Sequence, residues 1–241
     1  MAKKRTPAEG DVFEDPQALA SRLSSSEAYV RKNINIIGAV IILIAGSIVG
    51  FYFYKQNQAE KEEEAQLDFY RAQYFWMQDS IDVALNGREP EVTGLNTIIK
   101  RHAGTKAASL SHFMIGKVHL DSGRFEQAID HLEKFKGDDL LVKARAYAMI
   151  ADANMELERY KEAVKFYNKA ASHEPNDFTT PRYLAKLALA YEINDQRGEA
   201  VSTYEKLLDN HPQASKPVIE EAKKQMARLK ASLYIEQSQK G

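Results

Sequence analysis

The sequence predicts an all-α protein: one membrane-spanning helix, then an α-solenoid of helix hairpins closed by a C-terminal capping helix. Three observations carry this. The run from Asn33 to Tyr54 holds no charged side chain. A four-position pattern of small and bulky residues recurs three times downstream. Glycine and proline, 12 and 7 in 241 residues, sit mainly between apolar-periodic runs, so nothing in the chain demands a sheet.

The charge-free run reads NINIIGAVIILIAGSIVGFYFY and is flanked by Lys32 and Lys55. As a helix it is about 33 Å long, enough for a hydrocarbon core of about 30 Å. A buried helix of a soluble domain rarely runs this far without a charge. A cleaved signal peptide fits poorly too: the run starts late, and Tyr52, Phe53 and Tyr54 stand where small residues of a cleavage site belong. The expected organisation is a largely disordered tail over 1–32, a transmembrane helix over 33–54 and a helical stalk with a degenerate first repeat over 55–104. Three repeats over 105–215 and a capping helix with its tail over 216–241 complete the chain.

In the tail, Lys3, Lys4 and Arg5 mix with Glu9, Asp11, Glu14 and Asp15, and Pro7 and Pro16 break any early helix. Ser26 is a candidate cap for a short helix through Lys32. Arg22, Arg31 and Lys32 add to the basic cluster, and a long domain translocates largely regardless of charge. The tail is therefore expected inside and the domain outside. Within the anchor, Gly46 and Gly50 are four apart and Gly38 lies two turns earlier on nearly the same face. Small residues at that spacing let two membrane helices approach closely.

Past Lys55, the Glu60–Glu64 run reads as a solvated stalk. Ala65, Phe69, Ala72 and Trp76 then mark one helix face that can dock on the domain. Asn86-Gly87 and Pro90 punctuate. Leu95, Ile98 and Ile99 give a short helix that Gly104 can end. From here the chain repeats. Gly116, Ala128, Leu132 and Phe135 are spaced 12, 4 and 3, as are Ala151, Ala163, Tyr167 and Ala170, and again Ala188, Ala200, Tyr204 and Leu207. Each unit reads as two helices joined by a tight turn (SGRFEQA, ELERYKEA, NDQRGEA), with small residues where the paired helices cross. Ala72 and Ala84, again 12 apart, suggest an imperfect earlier unit. Ile219, Ala222, Met226, Leu229 and Leu233 lie on one face of the last helix, and lysine and glutamate fill the rest, as a cap requires.

The net charge is −1, with 33 Lys/Arg against 34 Asp/Glu, so there is no concentrated positive face for nucleic acid. The absence of cysteine excludes disulfides, thiolate metal sites and a cysteine nucleophile. His112 and His119 are seven apart on one helix, too far for i, i+4 chelation. Ser109 and Ser111 have no positioned acid and read as helix surface. No phosphate loop or nucleophile elbow is present in the sequence. Neither an enzyme nor a cofactor is expected.

The recurring positions resemble the tetratricopeptide repeat: a small residue at its eighth position, alanine at the twentieth, an aromatic at the twenty-fourth and proline near the thirty-second, here Pro175 and Pro212. The first unit departs, with Leu132 and Phe135 where an aromatic and a small residue are usual, and without the proline. The resemblance implies a concave surface along the first helices. Carried over, it comprises Leu110, Phe113, Lys117, Leu120, Arg145, Ala148, Asp152, Met155, Arg182, Ala185, Leu189 and Glu192. Such a mixture suits extended or partly unfolded chain. The architecture is similar to that of the YfgM-like family, ancillary subunits of the Sec translocon with a chaperone-like role. That similarity implies translocon subunits and nascent or unfolded secreted chains as partners, a bacterial inner-membrane location with a periplasmic domain, and no small-molecule substrate. A scaffold for an envelope or secretion complex is the alternative.

Overall fold

The structure, a computed structural model, describes residues 30–88, 90–137 and 139–240. The tail, the Ser26 cap and the Lys3–Arg5 cluster fall outside the described residues. Regular structure runs α1 (Ile34–Met77), α2 (Ile81–Asn86), β1 (Gly87–Arg88), β2 (Val92–Thr93), α3 (Leu95–Arg101), α4 (Lys106–Asp121) and α5 (Phe125–Lys134). It continues with α6 (Leu140–Glu156), α7 (Tyr160–Ser172), α8 (Thr180–Ile193), α9 (Arg197–Asn210) and α10 (Lys216–Lys240). The chain divides into two compact units, Met1–Ala59 and Glu60–Gly241.

The first unit contains the apolar part of α1, the one helix among the described residues long and apolar enough to cross a membrane. Ile42, Leu43 and Phe51 are 72%, 70% and 66% exposed, so its large side chains face outward all round, as lipid requires. Its serine is satisfied within the helix: Ser47 Oγ donates to the Leu43 carbonyl at 2.8 Å.

The second unit is all-α except for the antiparallel β1–β2 pair, Gly87 opposite Thr93 and Arg88 opposite Val92, which the punctuation at Asn86-Gly87 did not reveal as strands. Its hairpins are α4/α5, α6/α7 and α8/α9. Their small residues close the crossings: Ala128, Ala151, Ala163, Ala188 and Ala200 are fully buried, and Gly116 meets Leu132 and Ala128. The hairpin turns share one backbone solution. Gly123, Glu158 and Asp195 adopt φ of +71°, +58° and +60°, and the next residue's N–H reaches back to His119, Asn154 and Tyr191 at 2.8 Å each. Asp79, at φ +58°, makes the same turn between α1 and α2, with Ser80 N–H on the Phe75 carbonyl. This is backbone support for an earlier unit, and Ala72 and Ala84 are both fully buried there.

Burial then stacks the hairpins. Tyr167, Leu184, Leu187, Tyr204, Leu207 and Leu229 share one core; Ala128, Leu132, Phe135 and Ile150 share another. Each fully buried large aliphatic contributes roughly 1.5–3 kcal/mol. The cap α10 inserts Ala222 and Leu229 and is tied by Arg228–Glu192, Lys230–Glu205 and Arg197–Glu236. In the stalk, Ala65 and Ala72 with Phe69 and Trp76 pack on Leu95, Ile98 and Ile115.

Three local expectations change. Glu62 is not merely solvated: its carboxylate accepts the Lys106 and Ala107 N–H groups at 2.7 and 3.3 Å, capping α4 from a distant part of the chain. Ser111 is fully buried rather than on the surface, and donates to the Ala107 carbonyl at 2.8 Å. The short helix α3 ends at Arg101, ahead of Gly104. Gly104 sits at φ +89° just before Thr105, whose Oγ1 accepts the Ala108 N–H at 3.1 Å as the α4 cap.

Candidate protein-binding groove

The first helices of the hairpins, α4, α6 and α8, hold their exposed side chains around a continuous concavity. Its central part, about 530 Å³, is lined by Lys117, Leu120 and Asp121 from α4, Arg145, Ala148, Met149 and Asp152 from α6, and Arg182, Tyr183 and Lys186 from α8. Leu120, Asp152 and Lys186 also border a recess of about 640 Å³ with Met155 and Leu189. Lys186 and Leu189 lead on to a third recess, about 630 Å³, which Ala185, Glu192 and Ile193 share with Pro217, Val218 and Ala222 of α10. Thus Lys117, Leu120, Arg145, Asp152, Met155, Arg182, Leu189 and Glu192 are brought together. Leu110 and Phe113 lie elsewhere. The Phe113 ring is 5.5 Å from that of Phe135, and Leu110 borders a separate recess of about 330 Å³ beside the same phenylalanine.

Most charge in the concavity is internally matched. Lys117 Nζ is 2.5 Å from Asp121. Asp152 receives Lys186 Nζ at 2.6 and 2.8 Å and also the Tyr167 hydroxyl, so one carboxylate joins α6, α7 and α8. Burial and then that carboxylate push the Tyr167 pKa up, which keeps the phenol a donor. Glu192 takes Arg228 Nη2 at 2.7 Å on both oxygens. The Tyr204 phenol beside it is pushed up to about 12, first by burial. Leu189 and Ile193 stay 47% and 45% exposed, giving an apolar stripe. Such a surface can hold extended chain through apolar contact and fixed charge.

Sequence reasoning missed Asp121, Phe178, Tyr183 and Lys186. Tyr183 and Lys186 sit one place from the transferred positions, and a helix face is wider than a single row of residues. Phe178 lies in the loop before α8, where Asn176 Oδ1 accepts the Phe178 and Thr179 N–H groups at 3.0 and 2.8 Å.

A histidine cluster lies outside the groove. His112 and His131 bring their Nδ1 atoms to 3.1 Å, and the His119 ring is 5.4 Å from that of His131. Burial, then the two neighbouring imidazoles, lower the His131 pKa to about 4. Among the described residues no group of three or more side chains is arranged to hold a metal ion. In the anchor, a Cβ built on Gly38, Gly46 or Gly50 meets nothing within 4 Å, so that face is open.

A comparison with curated proteins finds no match. The model of the tetratricopeptide repeat-like domain matches residues 27–222, which takes in the apolar helix, all the hairpins and the start of α10. With most of the chain covered and hairpins that repeat one turn geometry, the protein belongs to the tetratricopeptide repeat-like family.

Proposed function

We propose that this protein is a membrane-anchored interaction module, an ancillary translocon subunit or chaperone-like holder of translocated chains on the outer face of the bacterial inner membrane. The observation that carries the reading is the continuous concavity across α4, α6, α8 and α10 in a chain that also has a helix able to span a bilayer. Arrays of this family are interaction modules, and a protein partner is the coarse conclusion. In the finer reading, Lys117, Leu120, Arg145, Asp152, Met155, Arg182, Leu189 and Glu192 hold the client, and Leu110 and Phe113 shape the α4 end. Gly38, Gly46 and Gly50 pack on a membrane partner, for which the translocon is the first candidate. Anchoring gives even a weak groove a high effective concentration near emerging chains. The orientation is tail cytoplasmic and domain periplasmic.

A scaffold for an envelope complex is the second reading. It draws on the matched charges along the groove, which suit one shaped partner. Native electrophoresis of membranes solubilised in mild detergent, with identification of co-migrating proteins, separates the two. A complex with translocon subunits that Gly46→Ile with Gly50→Ile releases is the expected result. A chain that migrates alone contradicts the translocon assignment, and a single stoichiometric envelope partner favours the scaffold.

A further inference from the structure

The central cavity carries a charge imbalance. Four cations line it, Lys117, Arg145, Arg182 and Lys186, against two carboxylates, Asp121 and Asp152. Each carboxylate is already held by a lysine. Arg145 and Arg182 have no carboxylate within ion-pair distance among the described residues. The other arginines from α4 onward all have a side-chain partner: Arg124 has His119, Arg159 has Glu126, Arg197 has Glu236 and Arg228 has Glu192. The two arginines left over are the two that line this cavity.

An apolar element stands beside them. Phe178 is 78% exposed, the most exposed large apolar side chain of the described residues, and its loop is fixed by the Asn176 turn. The Arg182 guanidinium lies 5.9 Å from the Phe178 ring centroid, a stacking that orients the fork and leaves its donors open. Leu120 and Met149 add apolar wall. Guanidinium forks in a partly enclosed cavity match carboxylates, with stronger hydrogen bonds than neutral donors would give.

We infer that the middle of the groove recognises an extended protein segment with acidic side chains next to apolar ones, its carboxylates on Arg145 and Arg182 and its apolar side chains against Phe178, Leu120 and Met149. This assignment rests on the groove reading above and deepens it to a partner chemistry. The carboxylates belong to internal residues, because the concavity continues past the cavity, through Met155 and Leu189 to α10. A chain running through it presents side chains there and not its end.

The test uses the full-length chain in mild detergent and fluorescein-labelled, C-terminally amidated nonapeptides of alternating Leu and Glu, or alternating Leu and Gln. A third peptide has no acidic side chain and a free C-terminal carboxylate. Anisotropy titration at low salt is expected to show the Glu peptide binding at least about tenfold tighter than the Gln peptide. Added salt and the Arg145→Gln with Arg182→Gln variant each remove that difference; both positions are exposed, so the fold tolerates the change. If the Glu and Gln peptides bind alike and Leu189→Ser weakens both, the acidic preference is overturned and the groove stands. If the acid-free peptide with a free end binds as tightly as the Glu peptide, the site reads chain ends and the inference is overturned. If no peptide binds, the groove reading fails and takes this assignment with it.

Discussion

One chemical change, glycine to alanine, has opposite expected signs at two helical positions of the array. Gly116 sits in α4 where α5 crosses it. A Cβ there stands 2.7 Å from Leu132 Cγ, 3.0 Å from Cδ2 and 3.2 Å from the Ala128 carbonyl oxygen. Leu132 is 2% exposed and has no solvent to swing into, so either its rotamer strains or the hairpin opens. Overpacking of this kind costs about 1–3 kcal/mol, against a helix-propensity gain of up to about 1 kcal/mol. The net expectation for Gly116→Ala is a loss of about 0.5–2 kcal/mol. Gly198 is the second residue of α9, is exposed, and its added Cβ meets nothing within 4 Å. Only the propensity gain applies, about 0.5–1 kcal/mol. For a domain of this size, 1 kcal/mol moves Tm by about 2–4 °C. Thermal unfolding of the full chain in mild detergent, followed by far-ultraviolet circular dichroism, should show Gly116→Ala lowered and Gly198→Ala raised. Equal shifts, or a raised Tm for Gly116→Ala, would refute the register of the first hairpin.

Three further outcomes follow from named contacts. Glu62→Ala uncaps α4 and should cost about 0.5–2 kcal/mol, while Glu63→Ala and Glu64→Ala, with exposed side chains, should stay within about 0.5 kcal/mol; urea midpoints of the three variants decide it. Glu158, at φ +58° in the turn where the first hairpin has Gly123, should gain about 0.5–1 kcal/mol as Glu158→Gly, read by the same denaturation. The His131 pKa lies near 4 when folded, well below its ordinary value of 6.5, so the unfolded chain takes up the proton first as pH falls. Stability is then full above about pH 6.5 and is lost as pH drops toward 4, by about 1 kcal/mol between pH 7 and 5 after solvent screening. His112, Lys134, Arg124 and Asp130 surround this cluster and stay in place in His131→Gln, which should flatten that slope. An unchanged slope would mean that neither burial nor the neighbouring imidazoles hold the His131 pKa down in the folded state.

Much of the fold was legible because it rests on short-range spacing. Twelve residues from Ala151 to Ala163 and from Ala188 to Ala200 carry the chain up one helix, through a turn and down to the same crossing, so a sequence period marks a spatial contact. The stalk face at Ala65, Phe69, Ala72 and Trp76 was legible for the same reason. What was hidden joins residues far apart in the chain. Glu62 with Lys106, Asp68 with His102 and His112 with His131 leave no periodic trace, since each depends on how separate helices happen to pack. Asp68 is the sharpest case: a carboxylate only 9% exposed on an otherwise apolar face, held 3.3 Å from a buried His102. In the groove, the transferred positions of α6 and α8 meet, and Lys117 and Leu120 of α4 join them, although the third unit departs from the family pattern with Arg197-Gly198 at its turn. Beside α4, the departure at Leu132 in α5 and Phe135 just after it supplies a large ring for Phe113 to pack beside, and that pairing could be seen only with α4 and α5 side by side.

Under the proposed function, the concave face holds translocated chain at the membrane. A photoreactive residue placed at Leu189, 47% exposed in the groove, and another at Lys161, exposed on α7 and outside the concavity, test it in living cells. Irradiation during secretion should give adducts with many different exported chains from Leu189 and few from Lys161. Equal adducts from both positions, or none from Leu189 while the protein stays in its membrane complex, would contradict the account.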